Sequence, residues 1–149
     1  MPKFENNIPG MISQIEGTML THLASTCPPH TTIVNIGCWE GRSLRYMLDG
    51  HPPPNCSIYG IDLYIDHDIL HKNVLAHDTH NQITLLQGNS TDPQILDQIP
   101  SNISLLFIDG DHSYSGCLAD LNNFWHKTLP LTPILVHDHY PVNNQLFHR

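Results

Sequence analysis

The run Ile103-Ser-Leu-Leu-Phe-Ile-Asp109-Gly-Asp111-His112-Ser113-Tyr114 decides the fold. It begins as a strand buried on both faces and stops abruptly at two carboxylates and an imidazole. Strands of a covered parallel sheet are continuously apolar rather than alternating, and polar residues at their carboxyl ends stand where open α/β sheets bind ligands. Leu105 to Ile108 supply the strand, while Asp109, Asp111 and His112 supply chemistry at its mouth. Asp-Gly followed by Asp-His-Ser is also ordinary turn and helix-cap material. The same strand-then-polar pattern elsewhere in the chain favours the site.

Upstream, Thr32-Ile-Val-Asn-Ile-Gly37, Ser57-Ile-Tyr-Gly-Ile-Asp62 and Gln82-Ile-Thr-Leu-Leu-Gln-Gly88 are three further strands with polar or glycine ends. Downstream, Pro133-Ile-Leu-Val-His137-Asp138-His139-Tyr140 is a fifth. Helical patterns separate them. Met11, Ile12, Ile15, Met19, Leu20 and Leu23 predict an amphipathic helix over 11–25 with those residues on its apolar face. A helix follows Gly41, a weaker one covers 66–77, and a short one carries Ile95, Leu96 and Ile99. Leu118, Leu121, Phe124 and Trp125 mark the apolar face of the last. Strands alternating with helices imply right-handed crossovers and a doubly wound, mostly parallel Rossmann-like sheet of about five strands.

The 149 residues suffice for one core and not for two ordinary domains. The expectation is a single domain over 1–149: an N-terminal helix in 1–27, a ligand-binding core over 30–140 and a tail over 141–149. With a formal charge of −8 and only 6 Lys and Arg, the chain has no basic stripe for nucleic acid or an anionic membrane. No apolar run approaches membrane-spanning length. Cys27, Cys38, Cys56 and Cys117 lack metal-type spacing and disulfide-scaffold density, so a reduced, cytoplasmic protein is expected.

Asn35-Ile-Gly37-Cys38-Trp39-Glu-Gly41-Arg-Ser43 is a glycine-bearing strand-to-helix turn. Gly37 permits the tight turn, and Gly41 would let backbone approach a ligand near a helix amino terminus. Asp62, ending the next strand, suits ribose hydroxyls; its bland alternative is a turn aspartate. Gly88-Asn89-Ser90 adds a polar, close-approach position at the third strand end. The turn is not G-x-G-x-x-G, which argues against a dehydrogenase.

These features resemble class I S-adenosylmethionine-dependent methyltransferases. The run from Leu106 to Asp120, with Trp125 and His137-Asp138, resembles a small-molecule O-methyltransferase-like subfamily carrying a Phe-Ile-Asp-Gly-Asp-His-Ser-Tyr pattern. The resemblance covers roughly residues 30–140. It implies cofactor contacts from Asn35, Gly37, Trp39, Gly41, Ser43, Asp62, Asn89, Ser90 and Asp109, with catalysis by His112 and Asp109 on a small hydroxylated acceptor. By similarity to metal-dependent relatives, it implies Asp109, His137 and Asp138 as ligands for an optional divalent ion such as Mg2+.

Several positions depart from that pattern. Asn35 and Asn89 replace acids expected to contact the cofactor's ammonium and adenine amine, and Leu131-Thr-Pro133 replaces a glycine turn. The family's last two strands, an antiparallel hairpin beside strand five, are not in the sequence. An unpaired apolar edge is a liability, so the chain forms a homodimer there, the tail covers it, or the sequence is a piece of a longer one. Two functions therefore stand: an O-methyltransferase, or a shortened relic fold that binds S-adenosylmethionine or metal without catalysis.

Overall fold

The computed structural model describes residues 6–137. Its centre is one five-stranded, all-parallel sheet in the order β3-β2-β1-β4-β5. The strands are β1 (Thr32–Ile36), β2 (Ser57–Asp62), β3 (Ile83–Gln87), β4 (Ile103–Ile108) and β5 (Ile134–Val136). β1 and β4 are buried at every position, as their apolar runs predict. Successive side chains of a strand point to opposite faces, and the core divides accordingly. Ile33, Leu105 and Phe107 face one layer with Leu20, Leu44, Met47 and Leu70. Val34, Ile36, Leu106 and Ile108 face the other with Ile95, Ile99 and Phe124.

The first layer holds α1 (Gln14–Ser25), α2 (Arg42–Asp49) and α3 (His67–Asn73); the second holds α4 (Pro93–Leu96) and α5 (Tyr114–Phe124). A capping box starts α1: Ser13 Oγ accepts from the Glu16 amide, and the Ser13 amide donates to Glu16 Oε2.

The expected apolar face of the N-terminal helix holds in part: Ile12 and Leu20 are buried and Leu23 packs against the core. Met11, Ile15 and Met19 are exposed, and the helix docks through Gly17, Leu20 and Ala24. A Cβ on Gly17 would lie 2.2 Å from the Tyr46 ring, so the helices meet through their smallest residues, and a count of large apolar side chains overlooks that contact. On α5, Asp120, Leu121 and Phe124 face inward, while Leu118, and Trp125 just past the helix, turn outward.

The fifth strand is shorter than expected, ending at Val136 and lying at the sheet edge with Ile134 and Val136 partly exposed. All four cysteines are free thiols. No helix among the described residues is long and apolar enough to cross a membrane.

Candidate active site

Four of the strands, β1, β3, β4 and β5, continue their ladders one residue past their ends. The amides of Gly37, Gly88, Asp109 and His137 donate to the carbonyls of Ile61, Asp62, Ile36 and Ile108. These bonds bring the polar strand ends to one level above the sheet, where they surround a cavity of about 600 Å³. Gly37 has φ +80°, and a Cβ there would lie 2.1 Å from the Asp109 carbonyl oxygen. Only glycine lets the first loop and the Asp109 loop touch.

Asp62 sits at the cavity edge and organises that first loop. Its Oδ2 accepts from the amides of Cys38 at 2.9 Å and Trp39 at 2.8 Å. Trp39 occupies the left-handed region at φ 39°, a strained conformation for a side-chain-bearing residue, and the Asp62 bond helps hold it. Burial, reinforced by the Asp62 charge, pushes the Cys38 thiol beneath it up to about 12.

On the far side, Asp109 Oδ1 lies 3.0 Å from His137 Nδ1 and 3.7 Å from His112 Nε2. His137 is buried, and its Nε2 is 3.5 Å from Glu16 Oε1. Burial alone would raise the Glu16 carboxyl, but hydrogen bonds with Ser13 and the nearby His137 outweigh it and hold it below its ordinary value. His112 is half exposed toward the cavity. Asp111 is the Asx residue of the turn into α5, accepting from the Ser113 amide at 2.8 Å; that bond and the Ser113 side chain lower its carboxyl.

Of the expected site residues, Gly37, Trp39, Ser43, Asp62, Asn89, Ser90, Asp109 and His112 line this one cavity. Asn35 and Gly41 do not. Asn35 is fully buried within β1, its Nδ2 donating to the Gly37 carbonyl, and its Oδ1 has no hydrogen-bond partner among the described residues. Gly41 instead packs under α3, where a Cβ would lie 2.4 Å from Val74. Asn89 Oδ1 is turned into its own loop, accepting from the Thr91 amide and hydroxyl.

Of the expected metal set, two members fall among the described residues. Asp109 and His137 face each other at hydrogen-bonding distance, Asp138 lies outside the described residues, and no group of three His, Cys, Asp or Glu among the described residues is placed to hold an ion.

Sequence reasoning missed Asp120, Glu16, Arg42 and residues 9–12. Asp120 is buried in the cavity wall and accepts from the Ser90 hydroxyl, bridging α5 to the loop after β3. Burial raises its carboxyl, with the Ser90 bond opposing and Asp111 adding to the rise. Its position between Cys117 and Phe124 on the inward face was the available signal. For Glu16 the signal was the Ser13-x-x-Glu16 box.

The family described as "Methyltransferase domain" matches residues 34–139. The chain belongs to the methyltransferase-domain family. A curated relative, an uncharacterised protein of Acanthamoeba polyphaga mimivirus, is 31% identical over 144 residues, covering 91% of this chain and 64% of the relative. Among solved structures, a candidate O-methyltransferase from Klebsiella pneumoniae superposes with TM-score 0.69 at 20% identity, over 88% of this chain and 59% of that one. An O-methyltransferase from Bacillus cereus, solved in complex with SAH, gives TM-score 0.67 at 20% identity, over 87% and 59%. These structural likenesses establish a shared methyltransferase fold. The methyltransferase domain described here spans less than two thirds of the length of each of these proteins.

Proposed function

We propose that this methyltransferase domain uses S-adenosylmethionine to O-methylate a small hydroxylated acceptor. One observation carries the reading: a single cavity joins the Asp62-held glycine loop on one side to the Asp109–His112 pair on the other. A volume of about 600 Å³ lies within the usual range for small-molecule sites. The residues suit the cofactor chemically, since Asp62, Asp109, Asp111, Asp120 and Glu40 give a carboxylate-rich lining for a ligand bearing a sulfonium and an ammonium.

When bound, S-adenosylmethionine supplies an electrophilic methyl group that passes to the acceptor oxygen and leaves S-adenosylhomocysteine behind. The chain's own groups position and deprotonate. Asp62 fixes the amides of Cys38 and Trp39, so the first loop is set before a ligand arrives, and its carboxylate has further lone pairs for ribose hydroxyls. Asp109, flanked by two imidazoles, favours a proton on the ring nitrogen facing it. For His112 that nitrogen is Nε2, so Nδ1 is assigned to take the acceptor's hydroxyl proton. Holding the two reactants together contributes the larger share of acceleration, on the order of several kcal/mol.

Titration calorimetry of S-adenosylmethionine, first in EDTA and then in excess magnesium, tests the reading. Binding in EDTA supports it, and methyl transfer to a panel of catechols and phenols that is lost in His112→Ala completes it. No heat with either S-adenosylmethionine or S-adenosylhomocysteine overturns it. Binding without transfer to any acceptor favours the non-catalytic alternative.

A further inference from the structure

We propose that Arg42 is a positioning residue that makes residues 6–12 a wall of the cavity, and that its guanidinium controls how fast a cofactor-sized ligand exchanges. The ligand half of this inference rests on the proposed function; the clasp itself does not.

Residues 6–12 form no helix or strand, yet Pro9, Gly10, Met11 and Ile12 line the cavity opposite the strand-end loops. Backbone outside any ladder must find its hydrogen bonds elsewhere, and here they converge on one side chain. Arg42 Nε donates to the Ile12 carbonyl at 2.9 Å, and Nη1 donates to the carbonyls of Asn6 and Ile8, both at 2.7 Å. In return, Asn6 Nδ2 donates to the Arg42 carbonyl at 3.1 Å. Among the described residues, every hydrogen bond from this segment to the rest of the molecule runs through Arg42.

Two further contacts hold the guanidinium in place. Its Cζ lies 5.6 Å from the centre of the Tyr46 ring, within cation–π range. Gly10 passes so close to the Arg42 stem that a Cβ there would lie 2.6 Å from Cδ. Only a rigid, multi-donor fork satisfies spread carbonyls in this way; a lysine ammonium on a flexible stem cannot span the same set. Arg42 also opens α2 and precedes cavity-lining Ser43, so the clasp is anchored in the helix that follows the first loop. At the other end, the buried Ile12 side chain fixes the segment just before α1, leaving 6–11 to swing when the fork lets go.

The test compares wild type, Arg42→Lys, Arg42→Ala and Asn6→Ala. Stopped-flow tryptophan fluorescence reads S-adenosylhomocysteine dissociation through cavity-lining Trp39, and thermolysin cutting before Met11 reads release of the wall without any ligand. Arg42→Lys is expected to melt within a few degrees of wild type, release ligand about tenfold faster and be cut about tenfold faster. Asn6→Ala, which loses the bond to the Arg42 carbonyl and the one from the Ile8 amide, falls between wild type and Arg42→Lys and serves if Arg42→Ala does not fold. Unchanged cutting in Arg42→Lys overturns the clasp. Faster cutting with an unchanged dissociation rate overturns control of exchange. A wild type that binds neither cofactor form overturns the cofactor reading instead, and thermolysin then decides the clasp alone.

Discussion

The cavity has two walls built on different principles. The wall from the strand ends is fixed by the sheet: ladder bonds set the level of Gly37, Gly88 and Asp109, and close backbone contact locks the loops together. The opposite wall, residues 9–12, belongs to no ladder and hangs from the side chain of Arg42. Chemistry-bearing groups occupy the first wall, and access depends on the second. Moving the first should cost folding; moving the second should cost retention of a ligand.

The sharpest trial of that contrast puts a methyl group on the fixed wall. Gly37→Ala places Cβ against the Asp109 carbonyl at a φ of +80°, adding backbone strain to a clash that no rotamer relieves. A loss of about 3–5 kcal/mol is expected, seen as a melting midpoint about 10 °C lower. A near-native midpoint would mean that the strand-end wall gives way easily, and the contrast would fail.

Asp62→Ala should come next. It strands two loop amides, for about 2 kcal/mol in urea unfolding, and it should abolish S-adenosylmethionine binding by calorimetry. Lost affinity with unchanged stability would make the ligand, rather than the loop, the main partner of this carboxylate.

A smaller effect should appear in the pH dependence of stability. Burial raises the Asp120 carboxyl above its ordinary 3.8, with Ser90 and Asp111 as its polar neighbours. The folded state therefore holds this proton more tightly than the unfolded chain, and the stability it contributes is present below pH 3.8 and lost as pH rises through the elevated value. Urea midpoints across the acidic range should fall less steeply with rising pH in Asp120→Asn than in wild type. Parallel profiles would mean that Asp120 titrates normally.

Gly10→Ala should be the mildest substitution in folding terms. Its Cβ meets the Arg42 side chain rather than backbone, so the stem must shift and the loss should stay at about 1 kcal/mol, well below that of Gly37→Ala, while S-adenosylhomocysteine dissociates faster. The pair Gly37→Ala and Gly10→Ala thus applies one chemical change to both walls and reads opposite outcomes.

The two walls also differ in how much of them the sequence disclosed. Continuous apolar runs ending in Asp62, Gly88 and Asp109 announce a covered parallel sheet with ligands at its carboxyl edge, and the structure has that sheet. The packing of α1 was only partly legible, because it docks also through Gly17 and Ala24, whose small size is the reason for the contact and carries no hydrophobic signal. Asn35 carried the right spacing for a ligand contact, but it lies below the rim, on the buried face of β1. Residues 6–12 were illegible for a deeper reason: Arg42 binds the carbonyl oxygens of Asn6, Ile8 and Ile12, and every residue has one.

The strand order carries a kinetic consequence. β1 needs partners on both sides, and the nearer one, β2, follows shortly. The other is distant: the Ser104 hydroxyl meets the Thr32 carbonyl across 72 positions of chain. At ribosomal speeds of about 5–20 residues per second, that partner emerges roughly 4–14 s after β1. During those seconds the most buried strand of the protein has one bare edge. The molecule's vulnerability to mispairing is therefore greatest at birth, in the strand that becomes the best protected.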